Sequence, residues 1–413
     1  MNAMNDLMPS PLKSVDAALA QLLAAVEQPL AAETVATFDA DRRVLACDVL
    51  SQLNVPAFDN SAMDGYAVAC VDVTEEGTAL LVSQRIAAGS AADVLEPGTA
   101  ARIFTGAPVP EGADAVVMQE HCTAHDDGSV SINTVPTPSQ SIRLAGEDVA
   151  AGSVVLRKGD RLTPAALGLA ASIGLHQLSV VRRPRVALFS TGDELVTPGE
   201  VAPADMPPGA IYNSNRFFLH ALLLRLGCEV TDLGIVPDNF DATVSALQAA
   251  AEGHDVILTS GGVSVGEEDH LRLAVELLGS LDLWRIAIKP GKPFAYGTVG
   301  NSHFIGLPGN PVSSFVTFLV LVRPFLLKLQ GVPKLAPSTL TVRAHFDWPR
   351  ADKRREYLRV RRDTKGGLEL FEQQGSNVLT SAVWGDGLVD NPPGTTIAQG
   401  DAVRFIPFTE LFT

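Results

Sequence analysis

At 413 residues the chain is longer than one hydrophobic core normally supports, so about three domains are expected. Its 46 % hydrophobic and 19 % charged composition is that of an ordinary folded protein. A formal net charge of -16 argues against nonspecific nucleic-acid binding and against anionic membrane surfaces, so an anionic substrate must be captured by local basic groups.

The N-terminus has acidic and polar residues where a signal peptide needs a basic start and an apolar stretch, and Ser14 caps a predicted amphipathic helix. Residues 14 to 45 are Ala/Leu-rich and read as helical. From Asn54 to Arg143 short alternating runs, such as Thr99 to Phe104 and Ala115 to Met118, are separated by Pro/Gly/Asp turns, which predicts a β-rich lobe. Thr163 caps a further helix with Pro164 at its first position, and Gly174 ends it. Cys47, Cys70, Cys122 and Cys228 lie far apart with no C-x-x-C pair, so neither structural zinc nor a disulfide framework is suggested and reduced cytoplasmic thiols are expected.

From Arg185 the pattern becomes β-α-β-α. Strands are predicted at Val186 to Phe189, Val230 to Val236 and Val256 to Thr259, with helices at Ser214 to Leu226, Asp241 to Ala251 and Glu268 to Leu278. Ile286, Ile288, Phe294 to Gly297 and Phe304 to Ile305 continue the sheet, and Pro311 to Leu329 is the closing helix. Near-continuous apolar strands alternating with helices imply a mostly parallel sheet covered on both faces. The strongest apolar run, Phe315 to Val322, stops at Arg323 and Pro324, short of the roughly 20 residues that span a bilayer. After Gly331 the texture is β-like again and reads as a small barrel.

Five loops at the strand ends carry the chemistry: Ser190 to Leu195, Val236 to Asn239, Ser260 to Asp269, Lys289 to Pro293 and Leu307 to Ser314. In an open α/β sheet, ligands bind outside the carboxyl ends of the strands. Asp193, Glu194, Asp238 and Asp269 would repel one another there unless a cation shared them, and Mg2+ favours such hard oxygen ligands beside a phosphate. Each also reads as a turn or capping residue. Ser260, Gly261, Gly262 and Ser264, and likewise Pro308, Gly309, Asn310, Pro311 and Ser313, form glycine- or proline-bearing entries to helices where backbone N–H groups can approach an anion. Lys289 and Lys292 would complete an oxyanion cradle. His121 and His125 beside Asp126 and Asp127 could form a metal site, although a hairpin turn at Asp126-Asp127-Gly128 explains the same residues. The basic stretch from Arg350 to Arg362 is either a solvated strand face or reaches a polyphosphate. No Ser/His/Asp triad, P-loop or G-x-G-x-x-G fingerprint is present.

In this order, Pro56 to Val68 (PAFDNSAMDGYAV), Thr105-Gly106-Ala107-Pro108, Ser190 to Leu195, Ser260 to Asp269, Lys289 to Pro293 and Leu307 to Ser313 resemble the molybdopterin molybdenumtransferase family, across essentially the whole chain. The resemblance implies a homodimer of four-domain subunits: a discontinuous linking domain (1–45 plus 147–182), a β-rich lobe (46–146), an α/β molybdopterin-binding domain (183–330) and a C-terminal β-barrel (331–413). It implies molybdate insertion into adenylylated molybdopterin with Mg2+-dependent release of AMP, in a cleft completed by the other subunit's lobe. Contact with other cofactor-biosynthesis proteins is possible on the same ground. Asp64, Thr105 and Asp148 would then lie on the cross-subunit wall, with Asp148 also a candidate metal ligand. Glu194, Asp238 and Asp269 would surround metal, nucleotide and pterin, while Ser190, Thr191, Gly192 and Asp193 would bind substrate, with Lys289, Lys292, Pro308 and Pro311 shaping the molybdate and phosphate pocket. Asn213 and Asn239 depart from the resemblance, since Asp is common at both. Two alternatives keep the fold: an adenylyltransferase using ATP, and a non-catalytic pterin-binding scaffold.

Overall fold

The structure, a computed structural model, describes residues 12–262 and 270–412. Its centre is a six-stranded sheet in the order Glu229–Val236, Arg185–Thr191, Val256–Ser260, Ser302–Leu307, Pro293–Val299, Gly279–Arg285. The first four strands are parallel, and Pro293–Val299 runs antiparallel to both of its neighbours, Ser302–Leu307 and the edge strand Gly279–Arg285. Alternate residues of one strand feed opposite cores. Leu188, Leu258 and Ile305 pack with Leu219, Leu223 and Val316 on one face, while Ala187, Phe189 and Ile257 pack with Leu247 and Ala274 on the other. Both faces are thus covered by helices, the condition under which strands are apolar throughout rather than alternating. The chain's first strand of this sheet lies between the second and third, so the connections diverge there and leave a crevice above Thr191 and Ser260.

The linking region is built from both sides of the lobe. Ala32–Ala36 and Val44–Leu45 flank Gln177–Val181 in one antiparallel sheet. The expectation of helix from 14 to 45 is therefore corrected: the helix is Val15–Ala24, capped by Ser14, and strand follows. Pro29 cannot continue the helix, and pairing with Gln177–Val181 outweighs the helical propensity of the alanines. Lobe strands Gly65–Val68, Thr78–Ile86, Thr99–Ile103 and Ala115–Met118 belong to a second six-stranded sheet. In it Cys122–Ala124 and Ser129–Ile132 form a hairpin, with His125 bonded to Ser131 and Asp127 to Ser129. Turn chemistry accounts for the His121/His125 cluster.

The C-terminal sheet contains Leu340–Arg343, Arg355–Arg362, Gly387–Asn391 and Ala402–Pro407, and a bridge between Ala344 and Leu368 closes it as a small barrel. Ile288–Lys289 joins this sheet beside Arg355 and Glu356 instead of continuing the α/β sheet. The turn at Pro290-Gly291 carries the chain away before Pro293–Val299 returns to the α/β sheet. Pro311–Leu329 is long and apolar enough to cross a membrane, but 89 % of its apolar window is buried inside the protein, as a core helix.

Arg182 joins the linking region to the α/β sheet by a two-pronged bond to Asp255 at 2.6 and 2.7 Å, and the Arg185 N–H donates to the same carboxylate at 2.8 Å. Burial alone would raise the Asp255 pKa, yet these donors bring it below the ordinary 3.8. Asp255→Asn is expected to cost about 2–3 kcal/mol at pH 7, read as a lower urea midpoint. Because the folded pKa lies below the unfolded value near 3.8, this contribution is complete above that value. It is lost as pH falls through the folded pKa, so wild type and variant should converge only in acid.

Candidate active site

A cleft of about 1590 Å³ opens at the carboxyl edge of the parallel strands and is walled on its far side by the C-terminal barrel. Two strand-end loops meet in it because Asn215 ties them: its Nδ2 donates to Ser260 Oγ and to the Gly309 carbonyl, each at 2.7 Å. The Gly261 N–H donates to the Leu307 carbonyl at 3.1 Å. Gly261 has φ +99°, and a Cβ there would stand 2.6 Å from the Thr191 carbonyl oxygen, so only glycine lets these two loops touch.

Gly192 plays a second part. With φ +142° it turns the chain so that the Glu194 carboxylate folds over its α-carbon, 2.6 Å from where a Cβ would sit. Glu194 and Asp238 are the carboxylates that line the cleft among the described residues. Among the described residues no group of three His, Cys, Asp or Glu side chains is poised around a metal. Two carboxylates nevertheless suit Mg2+, which needs only one or two and completes its shell with water and phosphate oxygens. Asp193 points elsewhere: it is exposed and accepts the Asp238 N–H at 3.4 Å.

Among the described residues, Ser190 Oγ, Thr191 Oγ1, Asn213 Nδ2 and Asn215 Oδ1, buried at or just behind the inner wall, have no hydrogen-bond partner. Leaving such atoms unpaired costs about 1–3 kcal/mol each, so the wall is built to meet a polar ligand. The Asn213 carbonyl oxygen caps the helix Ser214–Arg225 by accepting the Arg216 N–H, which leaves its amide nitrogen as the free donor. Asn239 likewise caps Phe240–Ala251. Asparagine caps as well as aspartate, so both departures keep the local fold and lower the negative charge beside the cleft.

On the opposite side the cations divide into two groups. Lys289 bonds Glu356 at 2.8 Å and lies 3.4 Å from Asp352, so its charge is largely matched within the protein. Asp352 also binds Arg354 at 2.8 Å. Arg285 and Lys292, also at the cleft, form no ion pair with a described residue. Lys289 and Lys292 thus both line the cleft, but differ in surroundings: Lys292 and Arg285 form no ion pair with a described residue, whereas Lys289 is held in a network with the barrel.

Of the residues expected from the sequence, Thr191, Gly192, Glu194, Asp238, Ser260, Gly261, Gly262, Lys289, Lys292 and Pro308 through Pro311 with Ser313 line the cleft. Ser190 is buried behind it, and Ser264 and Asp269 lie outside the described residues. Asp64, Thr105 and Asp148 do not line the cleft of their own chain. Thr105 donates its N–H and hydroxyl to one oxygen of Asp64, each at 2.8 Å, and the backbone bond foremost holds the Asp64 carboxyl below its ordinary pKa.

Three family models match the chain in succession: MoeA N-terminal region (domain I and II) over residues 13–174, probable molybdopterin binding domain over 187–328, and MoeA C-terminal region (domain IV) over 341–408. The molybdopterin molybdenumtransferase of Haemophilus influenzae is 39 % identical over 404 residues, covering 96 % of this chain and 99 % of the relative. The chain belongs to the molybdopterin molybdenumtransferase family. Molybdopterin molybdenumtransferase 2 of Mycobacterium tuberculosis is 38 % identical over 378 residues, 87 % of this chain and 90 % of that one. A solved molybdopterin biosynthesis moeA protein from Pyrococcus horikoshii OT3 superposes with a TM-score of 0.83 at 27 % identity, over 96 % of this chain and 100 % of its own. As a molybdopterin molybdenumtransferase, the enzyme transfers molybdenum to molybdopterin.

The barrel's share of the cleft was not foreseen. Arg354, Gln374, Gly375, Ser376 and Asn377 line it, and the Val312 N–H donates to the Ser376 carbonyl at 2.9 Å, joining this loop to the closing helix. Only the basic stretch from Arg350 hinted at Arg354; 374–377 carries no motif.

Proposed function

We propose that the cleft inserts molybdate into adenylylated molybdopterin and releases AMP with Mg2+. The single observation that carries this reading is the division of one cleft into an acidic edge, Glu194 and Asp238, and a cationic edge, Lys292 and Arg285, with unpaired buried donors and acceptors at its inner wall. Cleaving the phosphoanhydride consumes one water and frees AMP and the molybdopterin phosphate. Binding molybdate to the two dithiolene sulfurs expels oxygen as water. Glu194 and Asp238 would hold Mg2+, which when bound would offset negative charge on the substrate's phosphates. The turn at Gly192 presents Glu194 to the cleft, Lys292 and Arg285 attract the oxyanion, and the glycine-bearing loop at 260–262 allows close backbone approach to it. The functional unit in this reading is a homodimer in which Asp64 and Thr105 of the second subunit close the cleft.

The test is to incubate the purified protein with adenylylated molybdopterin and measure AMP. Release should require Mg2+ and molybdate together. AMP formation from ATP without molybdate, or ligand binding without turnover, would overturn the reading.

A further inference from the structure

In the lobe, the strands Thr78–Ile86 and Thr99–Ile103 run parallel, and beyond a register shift between Val82 and Gln84 they set Arg85 directly opposite Arg102. Leu80 and Ala100, nearer the other end of these strands, belong to the lobe core. Like charges on directly opposed residues of paired strands repel, so the arrangement calls for an anion. Arg102 spends donors on neutral oxygens, the Gly65 carbonyl at 2.8 Å and Gln119 Oε1 at 2.7 Å. The Arg85 guanidinium makes no hydrogen bond, and neither arginine forms an ion pair with a described residue. In a chain with 47 acidic residues against 31 lysines and arginines, a carboxylate partner was abundantly available, yet this pair has none.

Both guanidiniums lie over one ring instead, that of Phe104, at 4.5 and 4.6 Å from its centroid. Cation–π attraction holds such a planar group in place without consuming its N–H donors. The Phe104 N–H donates to the Ile86 carbonyl at 3.2 Å, which fixes the ring between the two strand ends. The next residue is Thr105, whose grip on Asp64 has been described. The Thr105 backbone bond foremost, and the Arg102 charge among the lesser causes, hold the Asp64 carboxyl below its ordinary pKa. The arginine pair thus adjoins the carboxylate that the proposed function brings to the other subunit's cleft. A guanidinium with free donors meets a phosphate through two parallel N–H···O bonds, and a second guanidinium beside it suits a group carrying more than one negative charge.

We infer that Arg85 and Arg102, held on Phe104, form a phosphate-binding subsite of the lobe, which takes the phosphate groups of the pterin substrate seated in the cleft of the other subunit. The inference rests on the proposed insertion reaction and on its closure across the dimer.

Molybdate-dependent AMP release by the full-length enzyme, measured over a range of adenylylated molybdopterin concentrations, tests it. Arg85→Met is expected to raise KM about tenfold and to change kcat by less than about threefold, because the phosphate charge is present in bound substrate and transition state alike. The Arg85 guanidinium makes no hydrogen bond within the protein, so the variant should melt like wild type. Arg85→Lys should recover about half of the loss, since it keeps the charge but not the two-pronged contact. A KM for Arg85→Met within about twofold of wild type, or an Arg85→Lys no better than Arg85→Met, overturns the inference and leaves the insertion reaction standing. A wild-type enzyme that releases no AMP overturns the reaction itself. An isolated mixed dimer of Arg85→Met with Glu194→Ala separates the subunits. If the lobe serves the other subunit, the one working cleft meets an intact Arg85 and shows the wild-type KM. The raised KM of the Arg85→Met homodimer would instead place Arg85 at its own chain's cleft and overturn the closure across the dimer.

Discussion

Glu194→Gln is expected to lower the turnover of molybdate-dependent AMP release by about 10²–10³-fold while leaving the molybdate Kd within about threefold. Glu194 forms no ion pair with a described residue, and it lines the cleft opposite the free cations Lys292 and Arg285. Its carboxylate is therefore available to hold a cation, a role that the neutral amide of glutamine fills poorly. The backbone supplies an independent check. A Cβ at Gly192 would sit 2.6 Å from one Glu194 carboxylate oxygen and 2.9 Å from the other, at a φ of +142° that side chains resist. Gly192→Ala should thus push Glu194 aside and reproduce part of the loss. Chromatographic quantification of AMP at saturating substrate, beside a melting curve to establish folding, measures both. A Glu194→Gln enzyme within threefold of wild type would remove Glu194 from the proposed chemistry.

The part of this site that was legible in the sequence is the part made by consecutive strand-loop-helix units. Apolar strands such as Val256–Ser260 and glycines at the following turn report a parallel sheet edge locally, without knowledge of the rest of the fold. The barrel's contribution was illegible for the opposite reason. Gln374 to Asn377 are joined to the closing helix by the Val312 N–H on the Ser376 carbonyl, a contact between elements far apart in the chain. Lys289 shows the same limit for charge: its proximity to Lys292 suggested two equivalent cations, whereas the pairing of Ile288–Lys289 with Arg355–Glu356 places Glu356 against one of them. Ala32–Ala36 was read as helix because alanine favours helix, and its partner strand lies about 140 residues later. The strand Gly279–Arg285, at the sheet's edge, passed unnoticed between two stronger signals.

Asp64→Ala and Glu194→Ala should each abolish most molybdate-dependent AMP release, yet mixed dimers of the two variants should recover activity. Asp64 is held in a two-donor grip from Thr105, does not line the cleft of its own chain, and belongs to the same segment as the exposed apolar residues Phe58 and Met63, which are 49 % and 45 % accessible. A held carboxylate in a segment that also exposes large apolar side chains suits an interface, where charge is positioned and apolar area is covered by a partner. If the lobe of one subunit closes the cleft of the other, a mixed dimer contains one site carrying both defects and one carrying neither. Random assortment makes half of the dimers mixed, so recovery should approach about a quarter of wild-type activity in the unfractionated mixture and about half in the isolated mixed dimer. Co-expression with two affinity tags, sequential purification and an AMP assay measure it. Full loss in the isolated mixed dimer would place Asp64 and Glu194 in the same chain's site, and an active Asp64→Ala homodimer would show that the lobe plays no part in the chemistry.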